Sequence, residues 1–104
     1  MKIAVASSGN TLDSKVDSRF GRCAYFAIHD TETKETIFLE NPSKDVDGGA
    51  GPKAVQFIAN QQANKIVSGE FGMKIKSLLE ELGIQMIAIK EEKTIQNIID
   101  LQNN

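Results

Sequence analysis

Two arginines, Arg19 and Arg22, flank Phe20-Gly21 directly ahead of the sole cysteine, Cys23. Guanidinium groups stay charged and present a planar donor fork that suits anions. A thiol beside an arginine is a candidate activated group, or a single ligand to a preformed metal cluster. The stronger reading of a lone cysteine is a small buried apolar residue. The arginines have an equally plain alternative, pairing with Asp13 and Asp17. His29 is the only histidine. It lies with Cys23 on an expected strand over 23–30, on one face by the period of two. Six residues at ~3.3 Å each hold the pair roughly 20 Å apart, too far to share a metal ion. No CxxC, HxxxH or HxxE pattern occurs. His29, near a turn, is expected at the surface and is badly placed as the base of a Ser or Cys triad. Inner strand positions lack Asp and Glu. The chain therefore lacks the residues of a self-sufficient metalloenzyme or nucleophilic hydrolase.

The elements that must position these groups follow from hydrophobic pattern. Residues 2–7 read as a buried strand, 8–22 as a long polar loop, and 23–40 as a hairpin turning at 30–33. Asn41-Pro42-Ser43 breaks the second strand. A glycine-rich loop, 44–51, leads to a helix at Pro52 with Ala54, Val55, Ile58 and Ala59 at helical spacing. Residues 65–68 form a second buried strand. A helix then runs from about Glu70 to Leu82, and Gly83 ends it as a left-handed cap. A third buried strand covers 84–89, and Thr94 caps a last helix that turns Ile95, Ile98 and Ile99 inward. The strand-helix-strand unit over 65–89 demands a parallel pair, whereas the front end is antiparallel. A mixed five-stranded sheet with helices on both faces satisfies both, giving one α/β domain over residues 1–104.

Ligands of open α/β sheets bind beyond the carboxyl ends of strands, where chain direction switches. If the first strand and the 65–68 strand are neighbours, the 8–22 loop and the turn at Ser68-Gly69 share that edge. Arg19, Arg22, Lys53 and the amino ends of two helices then favour an anionic ligand there. Glu70 opposes it. Gly49-x-Gly51-x-x-Ala54 fits a dinucleotide fingerprint, but it does not follow a strand directly and Pro52 removes an N–H. A flexible lead into a helix explains it better.

A net charge of −2 argues against non-specific nucleic-acid binding. The apolar start is too short for a signal peptide or a membrane span. One cysteine permits no intrachain disulfide. The expected location is the cytoplasm.

Three segments together resemble the dinitrogenase iron–molybdenum cofactor biosynthesis family, the group of NifX-like and NifB carboxyl-terminal-like domains. They are Ser18-Arg19-Phe20-Gly21-Arg22-Cys23-Ala24-Tyr25-Phe26, Gly49-Ala50-Gly51-Pro52-Lys53-Ala54, and Ile66-Val67-Ser68-Gly69-Glu70-Phe71-Gly72 with Leu82-Gly83-Ile84 after it. The resemblance implies a three-layer α/β/α, ribonuclease H-like architecture with strand order 3-2-1-4-5. It implies a non-catalytic carrier of a preassembled iron–sulfur or iron–molybdenum-type cluster, a nitrogenase accessory with protein partners in cluster assembly. Its candidate contacts are Asn10, Arg19, Phe20, Gly21, Arg22, Gly49, Ala50, Gly51, Lys53, Ser68, Gly69 and Gly72, with Cys23 as the one covalent metal ligand. Many relatives carry a histidine just before Gly-Ala-Gly, where this chain has Asp45-Val46-Asp47-Gly48-Gly49. Two other functions fit the same residues: a metal-free regulatory module binding a small molecule or phosphate, and a protein-interaction adaptor. A ribonuclease H-type nuclease does not fit, because the acidic metal site is missing.

Overall fold

Ile3 to Ser7 are buried without a break, as a strand covered on both faces must be. This strand, β1 (Lys2–Ser7), is the centre of the sheet in the computed structural model, which describes residues 1–102. The chain continues through β2 (Tyr25–Asp30), β3 (Thr36–Glu40), α1 (Ala50–Asn60), β4 (Lys65–Ser68), α2 (Met73–Glu81), β5 (Gln85–Ala88) and α3 (Ile95–Gln102). The strand order is β3-β2-β1-β4-β5. β1 pairs antiparallel with β2 and parallel with β4, so the direction switch falls at β1. The 3-2-1-4-5 order implied by the resemblance is the order found.

Alternation along β1 sorts its side chains into two cores. Ala4 and Ala6 join Phe26, Ile28 and Ile66 beneath Ala54, Val55 and Ile58 of α1 and Leu79 of α2. Ile3 and Val5 join Ala27 and Val67 against Ile95, Ile98 and Ile99 of α3. Helices thus cover both faces. Gly83 stands at φ 71 just past α2, the conformation expected of it. The Thr94 hydroxyl accepts from the Asn97 amide at 3.1 Å and caps α3.

Four local expectations need correction. α1 starts at Ala50 rather than Pro52, because Gly49 takes the left-handed cap position and Pro52 fits within the first turn, where its missing N–H costs nothing. α2 starts at Met73, not near Glu70. The Gly69 and Glu70 amides donate to the Asp17 and Ser18 carbonyls at 3.0 and 3.1 Å, which keeps the chain extended beyond β4. His29 is 1% exposed rather than superficial. It pairs with Ile3 of β1 and with Thr36 of β3, and Nδ1 meets the Thr36 hydroxyl at 2.8 Å. Nor does Cys23 share its face. Cys23 precedes β2 and packs in the core that holds Phe26 and Ile28, while Ala27 marks the opposite face, to which His29 belongs by alternation.

Candidate functional site

The long loop after β1 is laid across the sheet edge. Asp17 donates its amide to the Ala6 carbonyl at 2.8 Å, and its own carbonyl accepts from the Ser68 hydroxyl at 3.2 Å. Arg19 and Glu70 then form a parallel bridge. Gly69 is required at this crossing, since a Cβ there would come within 2.6 Å of the Ser18 Cα. The loop and the turn after Ser68 therefore share one edge.

Beyond the bridge the chain opens a cleft of about 270 Å3 lined by Ser18, Arg19, Phe20, Gly21, Glu70, Phe71, Gly72 and Ile75. Its floor is aromatic. Phe20 is buried, with ring centroids 5.6 Å from Phe26 and 5.8 Å from Phe71. Asp17 and Arg19 supply charge at one side. The Arg19 Nε and Nη2 donate to the two Asp17 oxygens, each at 3.2 Å, and this hydrogen-bonded pairing raises the guanidinium pKa. The first-turn amides of α2 begin at Gly72, where a Cβ would meet nothing within 4 Å. Lys90 donates to the Gly69 carbonyl at 3.1 Å and adds a cation behind the bridge.

The other candidate residues fall in different places. Gly51 supports the cleft from below: a Cβ on it would strike the Ile75 Cδ1 at 2.4 Å, and one on Gly21 would come within 3.0 Å of the Gly51 nitrogen. Ser68 and Gly69 are buried under the loop. Arg22 does not line the cleft; its Nη1 donates to the Lys44 and Val46 carbonyls at 3.1 and 2.5 Å. Lys53 borders a separate depression with Pro42 and Phe57. Asn10 is exposed near the loop tip, Gly49 caps α1, and Ala50 is buried. Cys23 is fully buried, and its thiol donates to the Phe20 carbonyl at 3.4 Å. Burial, helped by the nearby Asp17 charge, pushes that thiol up to about 12. It is therefore a protonated neutral group at physiological pH.

Sequence reasoning did not place Ser18, Phe71, Ile75 or Lys90 at the site. Phe71 and Ile75 had visible signals, the first inside the quoted Ile66–Gly72 segment and the second on the inner face of a helix. Asn41 carried no signal beyond its place before proline. It is 1% exposed, and its Nδ2 donates to the Gly21 and Cys23 carbonyls at 3.2 and 2.9 Å. Its Oδ1 accepts from the Ser43 amide, and the Ser43 hydroxyl, with one proton to give, stands 2.8 Å from both that Oδ1 and the Gly21 carbonyl. These bonds fix the turn that forms the cleft wall.

Among the described residues no group of three or more His, Cys, Asp or Glu is arranged to hold a metal ion. No described helix is long and apolar enough to cross a membrane.

A mixed five-stranded sheet with helices on both faces and a small cleft at its direction-switch edge makes this an α/β domain. Over residues 1–103 the chain matches the family described as dinitrogenase iron-molybdenum cofactor, and it belongs to that family. It is 32% identical to the apo form of the orange protein from Desulfovibrio gigas, with a TM-score of 0.89 over 95% of this chain and 83% of that one. A putative NifB protein from Thermotoga is also 32% identical, with a TM-score of 0.82 over 97% of this chain and 85% of its own. An uncharacterized protein of Methanocaldococcus jannaschii is 33% identical over 89 residues, which is 83% of this chain and 72% of that protein.

Proposed function

We propose that the protein is a non-catalytic carrier or accessory for an anionic metal–sulfur cluster of the iron–sulfur or iron–molybdenum type, seated in the cleft between residues 18–21 and the start of α2. Family membership supports the cargo class, and the cleft supports the place. The observation that carries the reading is the donor set. The only thiol is buried and protonated, and no ligand triad stands among the described residues. A cluster bound through protein ligands does not fit these residues. A cluster that arrives with its own ligands does fit, held by the α2 first-turn amides, Arg19 and the aromatic floor.

On this reading residues 1–104 act as one ribonuclease H-like domain in the cytoplasm, and handing over the cargo requires protein partners. Strand order and direction support the architectural label. The test is anaerobic incubation with a cluster donor, followed by visible absorption of the re-isolated protein. Cys23→Ala retains the colour and Arg19→Ala loses most of it. A colourless wild type, or loss of colour in Cys23→Ala with the fold intact, would overturn the reading.

The same donor set also admits a metal-free anion such as phosphate. Stabilisation in a thermal melt by phosphate but not by a cluster would favour that second role.

A further inference from the structure

Between Val46 and the start of α1 the chain carries its only Asp-Gly step, Asp47-Gly48, and it has no Asn-Gly step. Both residues are exposed and sit in a bend outside any strand or helix. Among the described residues the Asp47 carboxylate has no hydrogen-bond or ion-pair partner, and the Gly48 amide donates to nothing. No Cβ shields that nitrogen, and the space around it is open: an added Cβ would meet nothing within 4 Å. A carboxyl group next to a free glycine amide can close on it. The other aspartate and asparagine steps among the described residues are restrained. The amides after Asp13, Asp30 and Asp45 donate to the Thr11, Met1 and Ser43 carbonyls. The Asp17 carboxylate is held by three donors of Arg19. The amide after Asn10 donates to the Ser14 hydroxyl and the amide after Asn60 to the Phe57 carbonyl, while Pro42 leaves no amide after Asn41. Asn97 and Asp100 lie within α3, and Asn64 leads into β4, which is paired on both sides.

We propose that Asp47-Gly48 is a self-modification site, which converts to isoaspartate in the folded protein. The Gly48 nitrogen attacks Cγ of the protonated Asp47 carboxyl group. An N–Cγ bond forms, a Cγ–O bond breaks, and the hydroxyl leaves as water with the amide proton. Water then adds to the main-chain carbonyl carbon of the cyclic imide and breaks its bond to the Gly48 nitrogen. The chain now runs through the Asp47 side chain, and the former main-chain carbonyl is a free carboxylate. Mass and charge are unchanged, and water is the only co-reactant. The product lengthens the main chain by a methylene between two anchors. On one side the Val46 carbonyl accepts from the Arg22 Nη1 at 2.5 Å. On the other, Gly49 holds the left-handed cap, and its carbonyl accepts from the Lys53 amide at 3.1 Å. Extra length between them loosens the first turn of α1. The chemistry needs no cargo, so it stands apart from the function proposed for the cleft.

Prolonged warm incubation of the native chain in mildly acidic buffer, followed by tryptic mapping, tests it. The peptide over 45–53 is expected to split into two chromatographic peaks of equal mass, with electron-transfer fragmentation placing the new linkage at residue 47. The peptides that carry Asp13, Asp17 and Asp30 stay single. Gly48→Ala, which the open space tolerates, loses most of the new peak while circular dichroism stays native. Asp47→Glu, whose longer side chain closes a ring less readily, does the same. In the isolated isomer the Lys53 amide exchanges faster than in the parent protein. A single peak in the aged wild type, a linkage at residue 45, equal ageing of Gly48→Ala, or unchanged Lys53 exchange would overturn the proposal.

Discussion

Cys23 is chemically silent where it stands. Its thiol is fully buried, and burial with the Asp17 charge raises its pKa from 9.0 to about 12. A folded-state value above the unfolded one means that the native protein holds this proton more tightly. The associated stability is present below about pH 9 and is lost as pH rises towards about 12. Urea unfolding across that range therefore shows a fall in stability that is shallower in Cys23→Ala; equal slopes in the two proteins would contradict the assignment. The same environment makes native Cys23 slow to react with a thiol reagent. Asn41 is the opposite kind of residue, silent in sequence and central in space. Asn41→Ala removes the Nδ2 donor to two carbonyls and the acceptor for Ser43. It should cost about 2 kcal/mol or more in chemical denaturation, since buried partners are left unpaired.

At the level of elements, the glycines of the three family segments separate into Gly21, Gly51 and Gly69, which let chain segments touch, and Gly49, Gly72 and Gly83, which leave space open; of these last three only Gly72 lacks a positive φ. Gly69 lies where β4 passes the Ser18 backbone, and a methyl group there must displace it. Gly72 lies at the start of α2 with no neighbour in reach and with ordinary extended backbone, φ −68. Gly69→Ala is therefore expected to cost about 1–3 kcal/mol in denaturant unfolding, and Gly72→Ala to stay within about 0.5 kcal/mol while weakening cargo binding. Equal stability losses would remove the distinction. The element sequence was legible because it is local: buried strands at 2–7 and 65–68, the hairpin, the Gly83 stop and the Thr94 cap each follow from a few adjacent residues. The start of α2 was not, because it depends on the Asp17 and Ser18 carbonyls some fifty residues away in the chain. His29 was misjudged for the same reason, since its burial comes from strands on either side. The edge that gathers Arg19 with Gly72 was legible from topology. That Arg22 would instead bind the Lys44 and Val46 carbonyls was not, because a guanidinium donates to any nearby oxygen and charge alone does not choose among them.

Across the whole molecule, the loop between β1 and β2 is the part that both layers share. On the site side it carries Asp17 to Gly21. On the other side its carbonyls receive the first amides of α3: Ile95 donates to Ser14 at 2.9 Å and Gln96 to Leu12 at 3.0 Å, while the Val16 amide donates to Lys93 at 2.9 Å. A helix's first amides have no partner within the helix, so α3 depends on this loop for part of its anchorage. Disturbing the loop at the cleft must then be felt beneath the opposite face of the sheet. Gly69→Ala provides that disturbance without touching α3. Native-state amide exchange in this variant should accelerate at Ile95 and Gln96 by about tenfold, corresponding to roughly 1.4 kcal/mol of local opening. Amides in the β2–β3 hairpin bond within the hairpin or to β1 rather than to the loop, and should change only by the global loss of stability. Acceleration that is uniform over the sheet, or confined to residues 15–19, would mean that the loop does not couple the two layers. A selective response at the start of α3 would establish that the cleft and the far helix open together, so that a cargo bound at one edge also fastens the other side of the protein.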